Sequence, residues 1–206
     1  MKMSKKLLLV PILVILGACA SLPGHNPARE IIAASASHRP SWIDSPPKPH
    51  DGKHYFVGSS SGVDDESLAR QESRAAAMAN IADGIRDTVH HYLDTARTAD
   101  TAHSGDYSPD VEHSIEAGTL AVSRAIVSGA QVDRYFWQEY VDADPSRPSG
   151  HGPVMRDEYA LVSLSNADFQ RTLAQTIDGV EQQVKDPRAR HVLKFMKKHF
   201  LNDLNH

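Results

Sequence analysis

Cysteine is nearly absent from this chain: Cys19 is the single thiol in 206 residues. One thiol cannot close an intrachain disulfide, so a disulfide scaffold and a zinc–thiolate centre are both excluded. Aromatic residues make up only 6% of the sequence, which leaves few large side chains to fill a core. The apolar run Leu7 to Leu16 falls well short of the roughly twenty residues that a membrane-spanning helix needs. A basic excess is missing too. The 22 Lys and Arg face 26 Asp and Glu, a formal charge of -4, which is the wrong sign for a nucleic-acid partner.

What is present begins with Lys2, Lys5 and Lys6 ahead of that apolar run, the pattern of an export signal. The run closes with Leu16-Gly17-Ala18-Cys19, small residues before a cysteine, which looks like the cleavage box of a bacterial lipoprotein. The expectation is a signal peptide over residues 1–18, removed on export. Cys19 then becomes the lipid-attachment residue, carrying diacylglycerol on its thiol and an acyl chain, such as palmitate, on its new amine. The plain alternative is ordinary secretory cleavage after Ala20, since Ala18-Cys19-Ala20 also fits an A-x-A pattern. A solitary thiol placed at this junction favours lipidation. Three acyl chains anchor firmly, because each buried methylene contributes about 0.8 kcal/mol. Ala20 stands where an aspartate would signal retention at the inner membrane, so the likeness implies the periplasmic face of the outer membrane. Loss of the three signal lysines takes the formal charge to about -7.

After the anchor, residues 19–39 are small, polar or broken by proline, apart from Ile31-Ile32. They read as a flexible tether with a weak helical piece around Arg29 to Ser35, able to reach about 65 Å when extended. Trp42 and the prolines at 46, 47 and 49 follow, with Trp42 expected to plug one edge of the core; the rival is an aromatic ligand-binding residue. A short strand, His54 to Val57, then turns through Gly58-Ser59-Ser60-Ser61-Gly62 into a long helix. Leu68, Ala75, Met78, Ala82, Ile85, Val89, Tyr92 and Ala96 form one stripe on that helix. Ala75, Ala76, Ala77 and Ala79 keep its middle slim enough for close approach to a sheet.

Residues between Asp94 and Asp110 read as a loop, and Ser108-Pro109 as a helix start with serine as cap. Strands over Val132 to Val141 and Glu158 to Leu164 are expected to pair as a hairpin, joined by a connection over Asp142 to Pro153. A helix bearing Phe169, Leu173, Ile177, Val180 and Val184 comes next, and Asp186-Pro187 ends it. Residues 187–206 form a basic amphipathic extension with Val192, Leu193, Met196, Phe200 and Leu204 on one side. Docking of that extension to the protein or to a neighbouring copy is favoured over membrane contact. The predicted class is α+β: a small antiparallel three-stranded sheet packed by long helices, one domain over residues 40–186.

No catalytic, cofactor or metal assignment emerges. Gly58 to Gly62 matches G-x-S-x-G, yet Asp64, Asp65 and Glu66 in the first helical turn suit the helix dipole and would repel a phosphate. A hydrolase on Ser60 with a downstream acid and His191 is the weakest reading. Of the twelve histidines, the best groupings are Asp87, His90, His91 and Asp94, and His103, Asp106, Asp110 and His113. Neither has the spacing of H-E-x-x-H, and exposed histidines on an acidic surface are the favoured explanation.

Several short stretches together resemble the LPP-twenty family of small outer-membrane lipoproteins, some of them flagellum-associated. They are Pro40-Ser41-Trp42 with its proline-rich sequel, Tyr55-Phe56-Val57-Gly58, the alanine-rich Arg70 to Ala82, Val127-Ser128-Gly129, and Tyr159-Ala160-Leu161-Val162. The likeness covers roughly Pro40 to Ile177. It implies long helices on a small antiparallel sheet and an envelope role without catalysis, since some relatives assemble into rings or disks around a flagellar motor. The expected function is therefore a non-enzymatic outer-membrane lipoprotein, a structural or assembly factor that supports motility, with self-association or envelope proteins as partners and no nucleic acid or small-molecule substrate. The alternative is a tethered periplasmic binding module that reaches outward to regulate an envelope enzyme or secretion machine.

Overall fold

The computed structural model describes residues 29–201, so Leu16, Gly17, Ala18 and Cys19 lie outside the described residues. Its sheet is antiparallel, in the order β1-β3-β4-β2, with β1 over Arg29–Ala34, β2 over Lys53–Val63, β3 over Gln131–Ala143 and β4 over His151–Ser165. Helices α1 (Glu66–Ala99), α2 (Pro109–Ile126), α3 (Asn166–Gln183) and α4 (Pro187–Met196) gather over one face. The class is α+β, as the sequence predicts. The sheet has four strands rather than three.

Period-two alternation on β4 sorts its side chains between two clusters. Ala160, Val162 and Leu164 enter the main core with α1 and α3, while Leu161 and Tyr159 turn to the opposite face. There Trp42, carried on a 3-10 turn at Ser41–Ile43, closes a smaller cluster with Phe136 and Leu161. Trp42 is only 9% exposed, so it is a plug, seated on the outer face of the sheet. The β3–β4 hairpin forms as expected, with Phe136 opposite Tyr159. Both strands run longer than the pattern suggests, which shortens their connection to Asp144 to Gly150.

Gly58 to Gly62 is a correction: these residues are strand, inside β2, and α1 starts only at Glu66 behind the cap Asp65, whose carboxylate accepts from the Leu68 amide. Glycine and serine favour turns in isolation, but Gly58 is needed for contact. A Cβ there would lie 2.1 Å from the Ala77 nitrogen and the Ser73 carbonyl oxygen, so α1 and β2 touch backbone to backbone, close to what its alanine run implies. The same closeness moves the buried row. Ala69, Ser73, Ala77 and Ile81 face the sheet, whereas Leu68 and Ala75 are exposed; beyond them Ala82, Ile85, Val89 and Ala96 of the predicted stripe are buried, with Tyr92 half-buried beside the buried Leu93. Small residues carry the tight half of the contact, and a pattern read from bulky residues follows the neighbouring row. The loop expected from Asp94 starts later, because α1 runs on to Ala99, and it contains a 3-10 turn at Thr101–Asp106.

Residues 29–34 are a second correction, being strand rather than a helical piece of tether. Arg29 pairs opposite Asp142, Ile31 opposite Tyr140 and Ala34 opposite Gln138. The Arg29 guanidinium reaches Asp142 at 3.2 Å and Asp157 at 3.5 Å and lies 3.5 Å over the Tyr140 ring. Those partners are distant in sequence, so nothing local announces the strand. The domain therefore includes Arg29–Ala34 and does not start at residue 40.

Its other boundary moves as well. Ala189, Val192, Leu193 and Met196 of α4 are fully buried in the main core, so α4 is part of the domain rather than an appendage after residue 186. A π-helical turn, Lys197–Leu201, continues it and stacks Phe200 on Tyr92 at 4.8 Å. Between α2 and α3 the packing is reciprocal: Gly118 faces Val180, and Gly179 faces Val122.

Candidate functional site

Asp100 ends α1 as its cap residue and is 6% exposed. The 3-10 turn that follows brings His103 back over it, and Nδ1 of that ring lies 3.1 Å from Oδ1. From α4, His191 reaches the same carboxylate, its Nε2 2.9 Å from Oδ2. The two imidazoles face each other with centroids 4.1 Å apart, and the buried Tyr107 hydroxyl donates to Oδ2 at 3.4 Å. The His191 hydrogen bond is the main cause that holds the Asp100 carboxyl below the usual range; burial opposes it and the His103 bond assists. Burial, with Asp100 close by, pushes the Tyr107 phenol up. Among the described residues, Asp100, His103 and His191 are the group whose ligand atoms come within 4.8 Å of one another.

This is neither histidine grouping of the sequence. Asp87 pairs with Arg86, and His90 takes Asp94 and Glu116 as partners. His103 converges with residues outside its own grouping, while Asp110 lies near Arg188. Ser60 is held in extended β2, not on an elbow, and its hydroxyl donates to Glu72 at 2.6 Å; His191 is committed to Asp100. The hydrolase reading loses its geometry there.

A second feature is buried charge on β4. Arg156, Asp157 and Glu158 are consecutive and all buried, Glu158 completely. Arg156 donates to Glu158 at 2.8 Å and to Glu139 at 3.1 Å, and it lies 4.3 Å over the Trp137 ring. On the other face Asp157 accepts from Gln138, the Gly62 amide and Arg29. This network fixes β1 and the N-terminal end of α1 to the sheet.

The third feature is the sheet's edge. On the β2 side α1 lies close enough for Asn80 to donate to the Val57 carbonyl at 2.7 Å. On the other side β1 packs on β3, and no described element covers its outer edge. Ile31 and Ile32 stand there 49% and 47% exposed. Beside Trp42, a groove of about 550 Å³ opens between Pro47, His50, Tyr55 and Arg134. No described helix is long and apolar enough to cross a membrane.

No family model, curated protein or solved structure matches the chain.

Proposed function

We propose that this protein is a non-enzymatic lipoprotein, anchored through Cys19 to the periplasmic face of the outer membrane. In this reading it is an assembly factor that pairs its β1 edge with β1 of a second copy. The observation that carries the reading is an edge that no described element covers, with two adjacent exposed isoleucines. Soluble proteins usually shield such edges with charge, proline, a bulge or a covering element; β1 has a register irregularity between Ile31 and Ala33, but its centre has no charge or proline and no described element covers it. Antiparallel pairing about a two-fold axis is self-complementary, and it sets the isoleucines of both copies side by side at the middle of the strand. The C-terminal helix, the other apolar surface suggested by the sequence, is occupied by its own core.

The number of residues between Cys19 and β1 bears on the tethered-regulator alternative. Nine residues lie between Cys19 and Arg29, and the ten steps from one to the other reach at most about 35 Å at full extension. That supports work near the membrane surface over reaching across the envelope. Flagellar support is the process implied by the LPP-twenty resemblance, and swimming of a deletion strain is the phenotype to score.

Labelled palmitate tests the anchor: the wild type should incorporate it and Cys19→Ser should not. Ile31→Cys and Ile32→Cys test the pairing, because lipidated Cys19 offers no competing thiol. A short bismaleimide applied to envelopes should link either variant into dimers, and Leu68→Cys, on exposed α1 surface, should stay monomeric. Equal yields from all three variants would remove the support for edge pairing.

A further inference from the structure

We propose that Asp100, His103 and His191 form a binding site for one zinc ion, or a closely related late first-row divalent ion. The three side chains come from the end of α1, the 3-10 turn after it and the middle of α4. The cluster is thus built by the tertiary fold rather than by chance proximity on one helix. Ligand bonds of 2.0–2.1 Å in a tetrahedral centre place the donor atoms about 3.3 Å apart. The two imidazole nitrogens already lie 3.1 and 2.9 Å from separate oxygens of the Asp100 carboxylate. All the donor atoms lie within 4.8 Å of one another, so small rotations open a common centre.

The surroundings favour an ion over a purely hydrogen-bonded knot. Two imidazoles from separate elements, tilted 38° with centroids 4.1 Å apart, converge on one carboxylate, and imidazole nitrogen is a common ligand of zinc and its neighbours. Tyr107 donates to the carboxylate from the buried side, the kind of outer contact that orients a ligating oxygen. On the other side His103 is exposed and His191 half-buried, which leaves access and room for a water as fourth ligand. Two nitrogens and one oxygen suit zinc and its neighbours better than calcium or magnesium, which prefer all-oxygen sets. Bound there, the ion ties α4 to the junction after α1 and strengthens the docking of a helix already seated in the core.

The test uses full-length lipidated protein in detergent, stripped with a chelator and titrated by calorimetry with zinc(II) alone. One ion should bind per chain, and the melting temperature should rise with it. His103→Gln and His191→Gln should each weaken binding at least tenfold and abolish the thermal shift, whereas His90→Gln, on a different face of α1, should change neither. His103 is exposed and outside the core, so its variant keeps the test decisive even where Asp100→Asn fails to fold. Cobalt(II) should give visible bands in the wild type that the two glutamine variants lose. Absence of stoichiometric uptake, or equal uptake by His103→Gln and wild type through scattered surface histidines, would overturn the proposal.

Discussion

At Gly58 a hydrogen atom is all that separates two backbones. Any Cβ would sit 2.1 Å from atoms of Ser73 and Ala77, and neither neighbour can yield, because both belong to the helical ladder of α1. Overpacking that a core can absorb costs about 1–3 kcal/mol; Gly58→Val should cost more than this, since only separation of α1 from β2 relieves it. Gly105, with nothing within 4 Å of its added Cβ, gives the matched control, and Gly105→Ala should stay within about 0.5 kcal/mol of wild type. Urea unfolding of the two variants checks the pair. The outcome that would count against the close contact is a Gly58→Val midpoint equal to that of the control. The alanine run of α1 made a slim helix legible, but the glycine that meets it was hidden among serines, whose usual preference is for turns.

The caps show how the helices hold their places. Asp186 stands before Pro187 and accepts from the Arg188 amide at 2.9 Å and from its guanidinium at 2.8 Å. The Arg188 side chain is the largest cause that lowers the Asp186 carboxyl below its usual 3.8. A folded-state value below the unfolded one means stability that is fully present above about pH 4 and lost as pH falls through the folded value. Asparagine caps a helix about as well, so Asp186→Asn removes the charge and little else. Wild type should exceed Asp186→Asn in stability by a constant margin from pH 7 to pH 5, and that margin should shrink as the pH falls below about 4; a margin that acidification leaves unchanged would contradict the ion pair. α2 to α4 were readable because capping residues and 3.6-residue periodicity are local signals. β1 was not, because Ile31-Ile32 acquires its strand character from Tyr140, Asp142 and Asp157, more than a hundred residues away.

The described residues form a helical face closed on its own core and a sheet whose β1 border no described element covers. The Asp100 centre was equally illegible in the sequence, since His103 and His191 meet only after α4 docks. Edge pairing and metal binding are physically separate, so each can fail without the other. The measurement that bears most directly on the assembly reading is the mass of the intact lipidated protein, by light scattering in detergent, beside the Ile31→Lys, Ile32→Lys double variant. Both residues are exposed, so the lysines should leave folding intact while blocking the edge. Wild type should be a dimer or larger and the variant a monomer with the same circular dichroism. Monomers in both samples, or an assembly that survives the two lysines, would contradict assembly through β1.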